Sequence, residues 1–137
     1  MWWVYALFSA FFASLTAIFA KIGVTNVNSN LATAIRTIVI LVVAWSIVFF
    51  QGQQKSITAL SKHSLFFLVI SGLATGLSWI FYFKALQIGK VSQVAPVDKL
   101  SVALTILLSV IFLGEALSWK TAIGALLIIG GTVVLIL

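Results

Sequence analysis

Residues 93–115 read QVAPVDKLSVALTILLSVIFLGE, an apolar run that opens with a proline, an acid and a lysine. Its uncharged part, Leu100 to Leu113, would form a helix of about 21 Å, which is too short to cross roughly 30 Å of hydrocarbon. A membrane-spanning helix in this segment must therefore include Asp98 and Lys99. The segment predicts a transmembrane helix that carries charged residues inside one of its ends.

The composition of the whole chain agrees with a membrane protein. Its 137 residues are 63% hydrophobic and 7% charged, whereas soluble domains are roughly 45–50% apolar and 25% charged. Cutting the chain at its polar clusters predicts one all-α integral membrane domain over residues 1–137, with five transmembrane helices. The predicted spans are about 2–21, 31–50, 65–84, 92–113 and 119–137.

The inventory of reactive side chains argues against several functions. The chain has no cysteine, and its single His63 cannot form a histidine cluster, so we expect no metal site and no cofactor. The two acids, Asp98 and Glu115, are well separated and give no nucleophile and base pair, so we expect no enzymatic activity. The net charge of +6 comes from basic residues at the ends of apolar runs, which indicates loop charges and no nucleic-acid partner.

Five spans would place the two termini on opposite sides of the membrane. The positive-inside rule gives almost no orientation, because the loop charges are balanced. Those counted on the side of the N-terminus are Lys55, Lys62 and Lys120, and those on the other side are Lys21, Lys84 and Lys90. Counting Arg36 and Lys99, just inside the second and fourth spans, makes the side opposite the N-terminus weakly cytoplasmic. Two alternatives stay open: that weak orientation, or insertion in both directions with antiparallel pairing.

The second span has the same shortfall as the fourth. Thr37 to Phe50 is also about 21 Å of helix, so the second span must include Arg36. Both spans start at the same side of the membrane, where Arg36 would lie about 8 Å deep and Asp98 about 9 Å deep. A charge in the hydrocarbon costs at least about 2.5–3.5 kcal/mol at its centre, and it persists by pairing, by facing water or by snorkelling. Adjacent helix residues do not face each other, so we expect Asp98 to pair with Arg36 and Lys99 to face a cavity or water.

These charges have two interpretations: an ion pair that fixes the register of the helices, or a polar cluster that lines a solute pathway. Pro96 is expected in the first turn of its helix, with a helix break that exposes carbonyls as the alternative. Glu115 is expected in the connection before the fifth span, whose N-cap would be Ser118.

The third span carries two packing features. Trp79 lies deeper than the interfacial aromatic residues, where packing is the default role. Gly72 and Gly76 are four residues apart, a spacing that lets helix backbones approach closely, either inside the chain or at a subunit interface.

Several ordered motifs point to a family. AIFAKIGVTNVNSNLATAIRT, residues 17–37, supplies a first span, a loop and an arginine in the second span. From residue 72 onward the chain has Ala-Leu after the third span, Ala-Pro opening the fourth, Leu-Gly-Glu closing it and a Gly-rich fifth. The set resembles a single EamA-type repeat of the drug/metabolite transporter superfamily, over nearly the whole chain.

The resemblance implies a multi-pass transporter of the cell inner membrane. Most members carry two such repeats, ten helices in inverted orientation, with the solute site at the repeat interface. One repeat therefore implies a partner, which is a second copy of the chain, antiparallel or not, or a paralogous subunit. The first span has no acid, so the proton exchange of the small multidrug members does not transfer. The substrate-pathway candidates are Arg36, Asp98, Lys99, Pro96, Glu115 and Trp79.

The leading hypothesis is a small secondary transporter, or transporter subunit, that moves a small organic metabolite by alternating access as a dimer. The expected partners are the lipid bilayer and a small-molecule solute. Because the charged cluster has more positive than negative charge, an anionic or zwitterionic solute is preferred to a cationic drug. Two alternatives are a non-transporting accessory subunit of another membrane complex and half of a lipid-carrier flippase.

Overall fold

The computed structural model describes all 137 residues and consists of helices joined by short connections. The α-helices are α1 (Trp2–Gly23), α2 (Ser29–Phe50), α3 (Lys62–Ile88), α4 (Val91–Asp98), α5 (Leu100–Leu113) and α6 (Trp119–Ile136), with a short 3-10 helix at Gln53–Ala59. Five segments are long and apolar enough to cross a membrane, with α4 and α5 together forming the fourth. The prediction of an all-α chain with five long apolar segments is confirmed.

Side chains and glycines at the predicted connections set several helix ends. Asn28 Oδ1 accepts a hydrogen bond of 2.9 Å from the Asn30 N–H and begins α2. Ser118 Oγ accepts from the Thr121 N–H at 3.1 Å, so the predicted cap of the last helix is confirmed. Gly114 follows α5 with a φ of 66°, a left-handed conformation that glycine adopts without a steric cost.

Helix α3 is longer than the predicted span. It runs to Ile88, and only Gly89 and Lys90 separate it from α4. Lys84, expected in a loop, therefore lies inside the helix. A cut at the first charged residue ends the span too early, because lysine is a good helix former and its long stem lets the ammonium group reach the interface.

The fourth span is interrupted between α4 and α5. Pro96 is the sixth residue of α4, so the expectation that it lies in the first turn is wrong. Proline has no N–H to donate to the preceding turn, and α4 ends two residues later, at Asp98. The N–H of Lys99 lies 3.0 Å from the Pro96 carbonyl oxygen, a tight 3-10-type closure. The interruption places a charged dipeptide inside a membrane span.

The chain forms two compact units. The first unit comprises residues 1–18 and 88–137, and the second comprises residues 19–87. In the first unit, α6 packs against both α4 and α5. The buried Thr132 hydroxyl of α6 lies 3.3 Å from the Pro96 carbonyl oxygen and 2.8 Å from that of Ile128, so α6 contacts the backbone of α4 just before the interruption.

In the second unit, the ends of α1 and α3 hold each other through reciprocal hydrogen bonds. Lys21 Nζ donates to the Leu86 carbonyl oxygen at 2.6 Å, and Gln87 Nε2 donates to the carbonyl oxygens of Val24 and Val27 at 3.2 and 2.9 Å. These acceptors lie at or just beyond helix C-termini, where carbonyls lack partners within the helix and where a cation is favoured. Val24, Leu86 and Phe83 are each at most 1% exposed, so the apolar core of this unit lies at the same end.

Most other apolar side chains of the spans are exposed, as in Phe50, Leu113 and Trp119. A Cβ atom added at Gly72 or Gly76 would meet no atom within 4 Å. No other helix of the same unit therefore packs closely against that glycine pair. The exposed apolar surface suits contact with lipid or with a second subunit.

Candidate functional site

Arg36 forms a cluster with two aromatic side chains of α3. Its guanidinium carbon lies 4.4 Å from the ring centroid of Phe83 and 5.3 Å from that of Trp79, which are distances of cation–π contact. The two rings are four residues apart and therefore share one face of α3. Arg36 is half-buried and lies about 10 Å from the start of α2. We call Arg36, Trp79 and Phe83 the arginine cluster.

The second unit contains no anionic side chain that could neutralise Arg36. Residues 19–87 hold four lysines besides this arginine, and both acids of the chain lie outside them. Each cation–π contact contributes about 0.5–2 kcal/mol, whereas a charge at the centre of the bilayer costs at least about 2.5–3.5 kcal/mol. The rings offset much of the cost of the cation without cancelling its charge.

The arginine cluster also has hydrogen-bond donors without acceptors. A guanidinium carries five N–H groups and the indole of Trp79 carries one, and aromatic faces are not hydrogen-bond acceptors of ordinary strength. Neither side chain forms a hydrogen bond in the structure; the guanidinium contacts the two rings and also interacts electrostatically with the Tyr82 phenol. The cluster is therefore chemically suited to a ligand that supplies acceptors and negative charge.

Sequence reasoning placed Arg36 inside its span but missed the role of Phe83. Trp79, expected by default to serve packing, contacts the guanidinium directly. The sequence did contain a signal for both aromatic contacts. Trp79 and Phe83 are four residues apart near the end of α3, at about the membrane depth at which Arg36 lies in α2. That signal does not say which way the face turns.

Asp98 and Lys99 form an ion pair at the interruption of the fourth span. The Lys99 Nζ atom lies 3.3 Å from Asp98 Oδ2, and the lysine and aspartate side chains are 59% and 34% exposed. These neighbours were not expected to face each other, but the long, flexible lysine stem brings its ammonium group back to the carboxylate. The expected pair of Asp98 with Arg36 would join residues of the two units, and it stays a prediction.

Pro96 and Glu115 have different surroundings in the first unit. The Pro96 carbonyl oxygen is within hydrogen-bonding distance of the Lys99 N–H and the Thr132 hydroxyl, so this carbonyl is engaged at the break. Glu115 is exposed in the connection before α6, and its N–H donates to the Ser109 carbonyl oxygen at 3.3 Å. It lies beyond the opposite end of α5, about 21 Å of helix from Lys99.

The sequence matches the EamA-like transporter family over residues 1–137. An uncharacterised transporter in the cobO 3′ region of Sinorhizobium sp. is 46% identical over 134 residues, which is 98% of this chain and 95% of that protein. An uncharacterised protein of Methanocaldococcus jannaschii is 33% identical over 81 residues, which is 59% of this chain and 59% of that protein. No solved structure matches the chain. With five membrane-length apolar helices and a family match along its whole length, the chain is a multi-pass membrane protein that belongs to the EamA-like transporter family.

Proposed function

We propose that this protein is a secondary transporter, or a subunit of one, that moves a small organic metabolite across the cell inner membrane by alternating access as a dimer. The observation that carries the proposal is the interrupted fourth span, in which α4 ends at Asp98 and α5 begins at Leu100. At this point the Lys99 backbone keeps helical dihedral angles and its N–H bonds to the carbonyl oxygens of Ala95 and Pro96, so the interruption is a local 3-10-type irregularity. Irregular backbone at membrane depth is tolerated where it is buried in protein or lines a water-filled cavity. Transporters build their solute sites from such discontinuous helices.

The polar groups at the interruption support a cavity lined with water or solute. Lys99 is the N-cap residue of α5, and no side chain accepts a hydrogen bond from the first N–H groups of that helix. Unsatisfied backbone groups and two charged side chains would each be costly against lipid tails. We assign Asp98, Lys99 and Pro96 to the lining of the pathway at this break.

The remaining candidates take separate roles in the proposal. Arg36 and Trp79 contact the solute, because their N–H donors form no hydrogen bond within the protein and the guanidinium is held by aromatic rings. Glu115 lies beyond the far end of the fourth span, where an exposed carboxylate would meet solute entering or leaving the pathway.

A second copy of the chain would supply the partner that alternating access needs. In transporters built from inverted repeats, one repeat moves against the other around a central site. This chain has five spans, a large exposed apolar surface and a glycine pair on α3 against which no other helix of the same unit packs closely. The balanced loop lysines favour an antiparallel homodimer, and a paralogous subunit is the alternative partner.

Solute flux in proteoliposomes tests the proposal. Purified protein is reconstituted and the uptake of labelled organic anions, zwitterions and cations is compared with that of protein-free vesicles. We expect wild-type uptake of at least one solute class, with saturation, and a loss of uptake in the Asp98→Asn and Arg36→Gln variants. Equal flux in wild type and both variants would remove these residues from the mechanism. A strict monomer that moves no solute and copurifies with another membrane protein would favour the accessory-subunit alternative.

A further inference from the structure

The arginine cluster narrows the chemistry of the solute, because it offers positive charge and N–H donors that form no hydrogen bond within the protein. Arg36 Cζ lies over the rings of Phe83 and Trp79, and no carboxylate occurs anywhere in residues 19–87. The fitting ligand is an acceptor-only anion. A guanidinium binds a planar carboxylate through two parallel N–H···O bonds, a geometry that neither an amine nor a neutral amide reproduces.

Phe83 and Trp79 differ in burial, and this difference indicates the polarity of the part of the ligand beyond its charged group. Phe83 is 1% exposed, so its ring supports the guanidinium from inside the protein and cannot contact a solute. Trp79 is half-buried, and the remaining part of its indole is available to an apolar group. A ligand that fills the site would therefore place a carboxylate on Arg36 and an apolar body against Trp79.

The number of cations in the cluster indicates the charge of the ligand. Arg36 is the one cationic member of the cluster, and Lys21 of the same unit is engaged at the end of α3 by the Leu86 carbonyl oxygen. One guanidinium balances one negative charge, and a second negative charge on the ligand would lie unpaired in a half-buried site.

We propose that the arginine cluster binds a small organic monocarboxylate with an apolar body, held by Arg36 and in contact with Trp79. This inference rests on the proposed transport function and names the substrate class of that pathway. It excludes cationic drugs as the solutes recognised at Arg36.

Ligand binding is measured through the emission of Trp79 in a single-tryptophan protein. The other four tryptophans are replaced by phenylalanine: Trp2, Trp3, Trp45 and Trp119. The probes share one apolar body and differ in charge: 3-phenylpropionate, its neutral amide 3-phenylpropanamide, and the cation 3-phenylpropylamine. We expect 3-phenylpropionate to change the emission saturably and to bind at least about tenfold more tightly than either analogue.

Substitutions separate recognition at Arg36 from general attraction of anions. Arg36→Gln should weaken binding of 3-phenylpropionate at least about tenfold, and Arg36→Lys should restore part of it, because lysine keeps the charge without the fork. Lys55→Gln is the matched control, since it removes one positive charge from the exposed 3-10 helix of the same unit, and it should bind as wild type does. Circular dichroism and the thermal midpoint establish that each variant is folded. In the protein with all five tryptophans, the increase of the thermal midpoint with 3-phenylpropionate gives a second measure of binding.

Equal binding of the acid and the amide, equal binding by Arg36→Gln and Lys55→Gln, or no binding in either assay would overturn the inference. Competition by inorganic phosphate as strong as that by 3-phenylpropionate would overturn the assignment to carboxylates. Measuring solute flux in proteoliposomes distinguishes failure of the carboxylate site from failure of the proposed transport function. Transport of another solute class that does not depend on Arg36 would sink the inference and leave transport standing. Arg36-dependent binding without flux of any carboxylate would keep the site and refute transport.

Discussion

Arg36 in the second span and Lys99 in the fourth are both cations within apolar segments, but their surroundings differ. Arg36 lies over two aromatic rings in a unit that has no acid. Lys99 lies 3.3 Å from the Asp98 carboxylate, at a break between two helices. The rings leave the N–H donors of Arg36 without acceptors, whereas the carboxylate takes both the charge and a donor of Lys99.

This difference separates two roles for a charge in a membrane span. A pair of opposite charges is neutral as a whole, so it can remain at a helix break without a ligand. A cation held by rings keeps its net charge and its donors, so a bound anion improves its energy. We therefore assign solute recognition to the arginine cluster and a lining role to the Asp98 and Lys99 pair.

The largest expected effect is on transport by variants of the arginine cluster. Arg36→Gln should lower carboxylate flux at sub-saturating concentration by about 10- to 100-fold, since it removes hydrogen bonds from a charged group. Trp79→Phe keeps a ring under the guanidinium and removes the indole N–H, and it should lower flux by only a few-fold. Initial rates in proteoliposomes measure both, and Arg36→Gln flux within twofold of wild type would contradict the assignment.

Removing one partner of the Asp98–Lys99 ion pair should lower the stability of the protein. Asp98→Asn leaves Lys99 unpaired and should lower the free energy of unfolding by up to about 1 kcal/mol, a modest value because both side chains are partly exposed. The double variant Asp98→Asn with Lys99→Gln should be closer to wild type, because no charge is left alone. Unfolding in mixed micelles measures these differences. A double variant that is less stable than Asp98→Asn alone would contradict a stabilising interaction between Asp98 and Lys99.

The hydrogen bonds between the ends of α1 and α3 predict a local effect. Lys21→Met removes the donor to the Leu86 carbonyl oxygen and should cost about 1 kcal/mol, with faster amide exchange in the last turn of α3. Lys84→Met is the control, because Lys84 is an exposed lysine near the same end of α3. Equal exchange rates in the two variants would show that the Lys21 contact does not hold this end.

The smallest expected effect concerns the contact of α6 with the interrupted span. Thr132→Val removes the hydroxyl that lies 3.3 Å from the Pro96 carbonyl oxygen, and it should lower stability by about 0.5–1 kcal/mol. Thr75→Val is the matched control, since that exposed hydroxyl contacts only the Ser71 carbonyl oxygen of its own helix. The same change in the thermal midpoint for both variants would remove the interhelical bond from the account.

Hydropathy alone was sufficient to predict the spans, because a helix that crosses lipid must satisfy its own backbone and be apolar along its length. The same reasoning placed Arg36, Asp98 and Lys99 inside spans, since the uncharged runs beside them are too short. Contacts between helices were harder to predict. The contact of Arg36 with Phe83 depends on how α2 and α3 are rotated about their axes, which packing decides and residue spacing does not.

The reach of two lysine side chains explains the other incorrect expectations, which concern Lys99 and Lys21. Helical spacing directs Asp98 and Lys99 away from each other, but it does not fix where the end of a long lysine side chain lies, and the Lys99 ammonium reaches the Asp98 carboxylate. Lys21 was counted as a loop charge, although it lies in the last turn of α1 and binds the carbonyl groups that end α3. A lysine beside a loop has the same sequence signature whether it faces water or a neighbouring helix end.

The central claim concerns what balances Arg36, and the chain offers a direct measurement because Arg36 is its only arginine. Protein labelled with ¹⁵N-arginine in nanodiscs gives one Nε–H signal, which is followed during titration with 3-phenylpropionate or 3-phenylpropanamide. We expect a saturable shift with the acid and little shift with the amide. A signal that does not respond to the acid, or that shifts equally with the amide, would contradict the claim that the aromatic rings hold an arginine ready for a carboxylate.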